Sequence, residues 1–585
     1  MRPDDLNVYR LPPAWRWLSA RLWSLEHAYE RATASGRLQD DARIRILFVL
    51  AMFTAGFLTL AVGATHSALF SDAGKNTGTL AAPSGARADL VDRNGQLLAV
   101  DLPHYGLYVD SREIWDVSET RTALMATIPG LTRERLDKAL RSDRREYLVG
   151  GLTPEQRAVV HNLGLPGVVF EEESRRVYPL GSTAAHIIGF SDRGGAGIAG
   201  SELALDDTVR KLAAVPGQSV PLSIDLRVQT ALEDELQKNA VSFQATGAVG
   251  LVTNVRTGEI LALASYPDFN PNRPGLTPPN NLLNRAAASV FEMGSIFKVF
   301  TVAMGLDTGR VNLSTTFDAT TPITVGGQTI HDFHAEKRVM TLSDIFLHSS
   351  NIGTAKLALT IGGPTMERYF QSFGLFAPAK IELAETTHPI LPHRWSENIV
   401  ASASFGHAMS VSPLAVASGM GAILNGGNLV PLTIRKVEAG TVPTGKRVIS
   451  EATSRSMLDL MRLNVTHGTG ASAERAAPGL RVGGKTGSAE KVVAGRYDRS
   501  KLVSSFAAVF PTDGPIDSDR YFILILVDEP KGNKESYGFA TGGWTAAPAV
   551  GRVAERIAPY LGVRRMETAT DAPAVTPERL SGGDR

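Results

Sequence analysis

Apolar residues form one long uninterrupted run near the start of the chain, from Ile46 to Ala64. These nineteen residues carry no charge. A helix rising about 1.5 Å per residue would span roughly 28 Å over this length, close to the thickness of a bilayer core. Arg43 and Arg45 precede the run, and arginines on that flank favour a cytoplasmic N-terminus. The pattern predicts a single-pass signal anchor with the rest of the chain outside the cytoplasm; a soluble protein with one apolar helix is the alternative.

Polar segments flank this run and end the chain. Residues 1–45 are predicted to form a cytoplasmic tail, and their number argues against a cleaved signal peptide, which needs a short basic start. Residues 65–86 include Gly74, Gly78 and Pro83 and are predicted to be a linker. Residues 566–585 are rich in proline, glycine, serine and charge and are predicted to be a disordered tail.

Shorter apolar segments between linker and tail predict two folded domains, at residues 87–220 and 221–565. In the first domain, apolar segments on both sides of Asn94-Gly95 predict a β-hairpin. Residues 118–163 alternate between charged and apolar positions, and we expect them to be helical. Arg87 and Glu202 are expected to form an arginine–acid pair that braces this domain, and His186 is expected to be structural rather than a ligand.

The second domain shows a different order of elements. A predicted helix over 226–239 precedes strands at 248–255 and 259–265, which a turn containing Thr257-Gly258 connects. A further apolar strand is expected at 521–528. This order predicts an α/β fold of the α+β type, in which an antiparallel sheet is flanked by helices.

Composition excludes several classes of function. The 585 residues are 43% hydrophobic and 20% charged, with a net charge of +1, so nothing points to nucleic acid or an acidic polymer as a partner. The absence of cysteine excludes disulfides and thiolate metal sites. His331 and His334 lack further ligands and are expected to be exposed polar residues rather than a zinc site.

The strongest chemical signal starts at Gly294, where a turn is predicted to lead into a helix. Ser295 and Lys298 are three residues apart and would share one face of that helix. A serine hydroxyl needs a base to become a nucleophile, and a buried lysine can be neutral enough to act as that base. A Ser-x-x-Lys pair alone occurs by chance in a chain of this length, so the pair needs support from other motifs.

Two more motifs follow in a fixed order. Ser349-Ser350-Asn351 begins 54 residues after Ser295, and Lys485-Thr486-Gly487-Ser488 begins 136 residues after Ser349. Gly483 and Gly484 precede the last motif, which is expected on a strand that a ligand approaches closely. The ordered triplet is the signature of serine acyltransferases that react with penicillin.

The chain resembles a class B penicillin-binding protein, a monofunctional peptidoglycan D,D-transpeptidase, and most closely the septal branch used in cell division. The resemblance covers roughly Arg87 to Val563 and rests on the three motifs together with the sets Arg87…Asp92-Arg93-Asn94-Gly95, Arg175…Tyr178-Pro179, Gly197…Gly200…Glu202, Gly406-His407-Ala408-Met409 and Ser412-Pro413-Leu414. Met293 stands where the family usually has proline. The resemblance implies a penicillin-binding transpeptidase fold with a membrane-proximal pedestal, of the dimerisation type, at residues 87–220.

The resemblance also implies roles for the matching positions. Ser295 would attack the carbonyl between two terminal D-alanines, with Lys298 as its base. Ser349 would pass the proton to the departing amine, and Asn351 would hold the donor's amide and orient Lys298.

The third motif would bind the donor. Lys485 would place positive potential near the donor's carboxylate, and Thr486 would bond it through its hydroxyl. Gly487 and Ser488 complete this predicted substrate-binding strand. The backbone N–H groups of Ser295 and Ser488 would hold the oxyanion.

The resemblance extends to partners and location. The substrates would be donor and acceptor stem peptides of peptidoglycan, and β-lactams would be covalent inhibitors. The N-terminal region is too short for a glycosyltransferase domain, so a separate glycosyltransferase of the SEDS type and membrane proteins of the division complex are expected as partners. The enzyme would be anchored in the bacterial inner membrane with its catalytic domain outside the cytoplasm, and we expect no metal, organic cofactor or nucleic acid.

Several alternatives remain open at this stage. A side-wall transpeptidase would share every motif. A β-lactamase would need a deacylating base, and no Glu-x-x-x-Asn sequence occurs between Asn351 and Lys485. A D,D-carboxypeptidase would pass the same acyl group to water, and a penicillin-binding sensor or idle scaffold would not need all three motifs.

Overall fold

The structure is a computed structural model. The chain divides into two units, Met1–Leu80 and Ala81–Arg585. The residues that the structure describes are 86–215, 217–493 and 495–566, and in the first unit residues 23–24, 27–31, 34, 46, 49–50 and 52–60.

The described residues of the first unit are helical. In residues 52–60 the hydroxyl of Thr59 donates a hydrogen bond to the carbonyl of Ala55, four residues earlier. Among the described residues, no helix combines the length and the apolar character needed to cross a membrane. The predicted anchor, Ile46 to Ala64, lies partly outside the described residues, as do most of the predicted tail 1–45, the linker 65–86 and the C-terminal tail 566–585. These segments therefore remain predictions.

The unit from Ala81 to Arg585 begins with a five-stranded sheet in the order β3-β2-β1-β7, in which β4 also pairs with β2. The strands of this region are β1 Asp89–Val91, β2 Leu97–Asp110, β3 Arg145–Leu152, β4 Val168–Val177, β5 Phe190–Ser191, β6 Gly197–Ala199 and β7 Ser219–Pro221. Its helices are α1 Val117–Thr127, α2 Arg133–Leu140, α3 Pro154–His161, α4 Ala185–Ile188, α5 Gly200–Ala204 and α6 Asp206–Ala213. The predicted hairpin is confirmed: β1 and β2 are antiparallel and Gly95 takes a φ of +85° in the turn.

The expectation of continuous helix over 118–163 is wrong in its middle. Residues 145–152 form β3, which pairs with β2 so that Tyr147 lies opposite Tyr108. The charged residues at the start of β3 gave no strand pattern in the sequence, but Leu148 and Leu152 are buried in the core of this region. Pairing with β2 and this burial override the local pattern, because strand preference depends on neighbours more than on the segment itself.

A buried ionic network holds the first sheet to helices α5 and α6. Arg87 donates from Nε to Glu202 Oε2 at 2.8 Å, and Arg176 donates from Nε to Glu202 Oε1 at 2.6 Å. Arg176 also contacts Asp101, and Arg87 also contacts Asp206. The pair of Arg87 and Glu202 expected from the sequence is therefore present, and it belongs to a network that also includes Arg176, Asp101 and Asp206.

The rest of the unit contains the second large sheet, whose order is β16-β17-β18-β8-β9. Its pairings are all antiparallel, as predicted. The strands of this region are β8 Gly247–Asn254, β9 Ile260–Tyr266, β10 Thr316–Asp318, β11 Ile323–Val325, β12 Gln328–Ile330, β13 Val339–Thr341, β14 Asn428–Leu429, β15 Lys446–Arg447, β16 Gly483–Val493, β17 Arg496–Phe510 and β18 Tyr521–Asp528.

Helices cover both faces of this sheet, which explains why β18 is buried along its whole length. The helices are α7 Leu226–Ser242, α8 Pro279–Leu282, α9 Arg285–Ala288, α10 Phe297–Asp307, α11 Leu342–Leu347, α12 Asn351–Ile361, α13 Gly363–Ser372, α14 Glu397–Ala403, α15 Pro413–Leu424, α16 Glu451–His467, α17 Ala471–Ala476 and α18 Ala546–Ile557. Helices α7 and α18 pack together on one face, and α10, α15 and α16 contribute to the core on the other. The boundary at residue 221 stays a prediction, since both sheets lie in one compact unit.

Candidate active site

Ser295 lies in a short 3₁₀ turn, Gly294–Ile296, that leads directly into α10. Gly294 has a φ of +55°, and a Cβ there would lie 2.5 Å from the carbonyl oxygen of Ser488 on β16. On the other side, the N–H of Gly294 donates to the carbonyl of Gly406 at 3.2 Å. The serine turn is therefore held between β16 and the loop after α14, where only glycine fits.

Lys298 is one turn further along α10 and is fully buried. Its Nζ lies 2.8 Å from Asn351 Oδ1 and 3.0 Å from Ser349 Oγ, and it also donates to the backbone carbonyl of Ser349. Ser349 takes a φ of +56° just before α12, which turns its carbonyl and its hydroxyl toward the same amine. Within the described residues, Ser295 is half-buried and its hydroxyl makes no hydrogen bond.

Lys485 reaches the same hydroxyl from β16. Its Nζ lies 3.0 Å from Ser349 Oγ and 3.4 Å from Thr486 Oγ1, and its side chain is fully buried. Ser349 thus stands between the two lysines, although the three residues come from three different segments. Residues Lys298, Ser349, Asn351 and Lys485 are brought together by the fold, with Thr486 beside them.

Burial changes the protonation of both lysines. It lowers the pKa of Lys298 well below its ordinary value, and the positive charge of Lys485 lowers it further, whereas Asp332 acts in the opposite direction. Burial also lowers the pKa of Lys485, to about 7. Lys485 is expected from its motif to carry a positive charge. A pKa near 7 leaves its amine only partly charged at neutral pH when no ligand is bound, and a bound carboxylate would restore the charge.

The segment after β12 forms hydrogen bonds with the Ser-x-Asn motif at the start of α12. Asp332 accepts a hydrogen bond from Ser350 Oγ at 2.8 Å and one from the N–H of Ile352 at 2.9 Å, which caps the start of α12. Asn351 Nδ2 donates to the backbone carbonyl of His331 at 3.0 Å. Sequence reasoning missed Asp332, because nothing in its local pattern marks a residue that caps a helix almost twenty residues later.

The hairpin of β16 and β17 contacts the serine turn through Glu292. Glu292 Oε1 accepts hydrogen bonds from the N–H of Ala408 at 3.0 Å and from Tyr497 at 3.2 Å. Burial raises the pKa of Glu292 to about 7. The neighbouring His407 is also largely buried, which lowers its pKa to about 4. Neither residue was singled out as a site residue in the sequence.

The remaining residues of the third motif shape the edge of the cleft. A Cβ on Gly487 would lie 2.6 Å from the carbonyl oxygen of Met293, so this glycine permits close contact between β16 and the serine turn. Ser488 Oγ accepts a hydrogen bond from the N–H of Gly542 at 3.1 Å. Trp544, two residues on, is 38% exposed and stacks on Phe539.

No group of histidine, aspartate and glutamate suited to a metal ion occurs among the residues that the structure describes. His331 contributes its backbone carbonyl to the site. His186 is buried, with Nε2 at 2.9 Å from the carbonyl of Asn281, which agrees with a structural histidine.

Comparison with known proteins identifies the family. Residues 248–550 match the penicillin binding protein transpeptidase domain, and residues 83–193 match the penicillin-binding protein dimerisation domain. A Caulobacter vibrioides protein named "probable peptidoglycan D,D-transpeptidase FtsI" is 57% identical over 94% of this chain and 94% of its own length. The chain belongs to the penicillin-binding transpeptidase family.

A more distant relative agrees with this assignment, and a solved structure shares the fold. Peptidoglycan D,D-transpeptidase FtsI of Escherichia coli is 31% identical over 80% of this chain and 83% of its own length. The crystal structure of penicillin binding protein 3 from Mycobacterium tuberculosis, complexed with aztreonam, has a TM-score of 0.63 at 24% identity and covers 83% of this chain and 98% of its own. This penicillin-binding structure shows that the fold is shared.

Proposed function

We propose that the protein is a peptidoglycan D,D-transpeptidase that cross-links stem peptides through an acyl-enzyme on Ser295. The observation that carries the proposal is the position of the Ser349 hydroxyl, 3.0 Å from Nζ of both Lys298 and Lys485. This arrangement joins a base, a proton carrier and a cation in one buried cluster beside the serine turn. The 57% identity to a protein named as such a transpeptidase supports it.

The contacts of Lys298 fit a neutral base. The carbonyl oxygens of Ser349 and Asn351 can only accept hydrogen bonds, so a neutral amine uses its two hydrogens on them. Its lone pair is then left for a hydroxyl. The lowered pKa of Lys298 favours this neutral form.

The reaction follows from these groups. As Ser295 Oγ bonds to the carbonyl carbon of the penultimate D-alanine, its proton moves to Lys298, and the carbonyl electron pair moves to the oxygen. The N–H groups of Ser295 and Ser488 are proposed to hold that oxyanion. When the C–N bond breaks, the departing D-alanine amine takes the proton from Lys298 through Ser349.

The second half reverses these steps with a different amine. An amine of a neighbouring stem peptide attacks the acyl-enzyme, its surplus proton returns to Ser295 through Lys298, and an amide cross-link forms. Lys485 and Thr486 are proposed to bind the donor's carboxylate in the first half. A β-lactam would acylate Ser295 by the same route and remain attached.

The septal role, the location and the protein partners are further parts of the proposal. Similarity to two proteins named FtsI supports the septal branch over the side-wall alternative. The uncharged run from Ile46 to Ala64 supports a single-pass anchor in the inner membrane. A SEDS-type glycosyltransferase and membrane proteins of the division complex are proposed as partners, because neither matched domain makes glycan.

Labelling with fluorescent penicillin followed by a donor–acceptor cross-linking assay tests the function. We expect stoichiometric labelling of the full chain and formation of a cross-linked dimer from two stem peptides. Release of the donor to water alone would indicate a carboxypeptidase. Labelling without turnover would indicate a sensor or scaffold, and no labelling at all would overturn the acyl-enzyme.

A further inference from the structure

Polar side chains of α16 and of the loop after it contact Thr486 and its strand. Asn464, fully buried on α16, donates from Nδ2 to the carbonyl of Gly484 on β16 at 2.7 Å. Thr469, in the short loop after α16, has its Oγ1 2.9 Å from Thr486 Oγ1 and 3.3 Å from Asn464 Oδ1. The loop itself is tied to α16, since the N–H groups of Gly468 and Gly470 both donate to the carbonyl of Asn464. Thr469 is exposed to solvent, and these contacts place its hydroxyl beside the strand that carries the third motif.

Each of the two threonine hydroxyls carries one proton, and the direction in which each proton points decides which hydroxyl can donate a hydrogen bond to a ligand. Each hydroxyl donates once and accepts up to twice. If Thr486 donates to Thr469, its proton points away from the cleft. If Thr469 donates to Thr486, the proton of Thr486 is free to point toward a ligand, while Lys485 remains within 3.4 Å of the same oxygen.

A carboxylate selects between these two arrangements. It carries no proton and can only accept hydrogen bonds, so it favours the arrangement in which Thr486 donates to it. Thr469 then needs an acceptor for its own proton. Of its two protein acceptors, Thr486 Oγ1 at 2.9 Å is nearer than Asn464 Oδ1 at 3.3 Å, and water is the competing acceptor because Thr469 is exposed.

We propose that Thr469 is a positioning residue for the donor's carboxylate: it donates its hydroxyl proton to Thr486 Oγ1 and thereby directs the Thr486 proton to the carboxylate. The inference rests on the proposed function, in which Thr486 binds that group. Thr469 lies outside all three motifs, in the loop after α16, and reaches the site through the packing of α16 against β16.

The expected size of the effect follows from the kind of hydrogen bond. Bonds to charged groups are worth more than neutral ones, and losing the correct orientation of one should weaken carboxylate binding by about 10- to 100-fold. The loss should appear in the binding constant before acylation more than in the acylation step, because the carboxylate is bound before and during bond formation alike.

The test compares penicillins with and without the charged group. Acylation of the full chain by benzylpenicillin and by its methyl ester is measured at several concentrations for the wild type and for Thr469→Val, Thr469→Ser and Thr466→Val. Thr466 is the matched control, because it is exposed and its hydroxyl contacts only residues of its own helix end.

We expect Thr469→Val to bind the free acid about 10- to 100-fold more weakly, to react with the ester within about 3-fold of the wild type, and to be rescued by Thr469→Ser. Thr466→Val should behave as the wild type. Equal losses for acid and ester, or no loss, would overturn the inference, because the hydroxyl would then act on the fold or not at all. If the valine variant does not fold, Thr469→Ala decides by the same comparison. A wild-type chain that no penicillin acylates would instead overturn the proposed function.

Discussion

Replacing each buried lysine by arginine in turn distinguishes their roles. Lys298→Arg keeps a positive charge but removes the base, because a guanidinium stays protonated at any usable pH. Lys485→Arg keeps both the charge and donors for a carboxylate. Both side chains are fully buried, so both variants also have to accommodate a larger group.

The structure allows the expected losses of acylation rate in the two variants to be compared. Fitting extra atoms into a packed site costs about 1 to 3 kcal/mol. If the whole cost falls on the arrangement of the reacting groups, it corresponds to about 5- to 160-fold in rate, and it applies to both variants. Loss of a general base adds about 10²- to 10⁴-fold for Lys298→Arg alone. We therefore expect Lys485→Arg to be about 5- to 160-fold slower than the wild type, and Lys298→Arg at least about another 100-fold slower.

The assay is the second-order rate of acylation by a penicillin, measured from about pH 6 to 9, because this constant reports the pKa values of the free enzyme. Since the pKa of Lys485 is lowered to about 7, its charge is lost as the pH rises through that value, and the wild-type rate should decline there. Lys485→Arg should lack this decline. Equal losses in the two variants, or a faster Lys298→Arg enzyme, would refute the assignment of base and cation.

Four further predictions address the nucleophile, the buried ionic network, the pH dependence of stability and the topology. Ser295→Ala should abolish covalent labelling by penicillin while the chain stays folded, and stoichiometric labelling of this variant would contradict the nucleophile. Glu202→Gln leaves two buried arginines without their shared counter-charge and should lower the free energy of unfolding by about 3 to 5 kcal/mol, measured by denaturant unfolding; an unchanged midpoint would show that the network is not needed. Glu292 has its pKa raised from its ordinary value of 4.5 to about 7 by burial, so stability is lost as the pH rises between these two values and the loss is complete above about 7. Glu292→Gln should therefore raise Tm at neutral and alkaline pH but not at acidic pH; a Tm difference independent of pH would refute this. A tag placed before Ile46 should stay protected from external protease in spheroplasts, and cleavage after Ala64 would contradict the uncleaved anchor.

Some features could be predicted because neighbouring residues suffice to produce them. Asn94-Gly95 between apolar segments specifies a hairpin, since glycine readily adopts the positive φ that the turn needs. The strands at 248–255 and 521–528 are mostly apolar, which favours strands that are largely withdrawn from water, and the structure buries both β8 and β18 along their whole length. The order and spacing of the three motifs identified the family, because each motif is only a few residues long and can be read without knowing the fold.

Other features depend on segments that meet only in the folded chain. Strand β3 exists because β2 pairs with it and Leu148 enters a core, and its own residues favour no strand strongly. Asp332 and Glu292 belong to none of the three motifs. Asp332 contacts the start of α12, and Glu292 contacts the loop after α14 and the hairpin of β16 and β17.

The sequence by itself therefore determined the family, the antiparallel sheet and the candidate residues of the site. Only the tertiary structure decided the protonation of these residues and which side chains they contact. The pKa of Lys485 falls to about 7 because burial removes water from its amine, and the sequence contains no measure of that burial. Thr469 reaches Thr486 because α16 packs against β16. Burial and contact belong to the packing of distant segments, so they could not be predicted from a linear pattern.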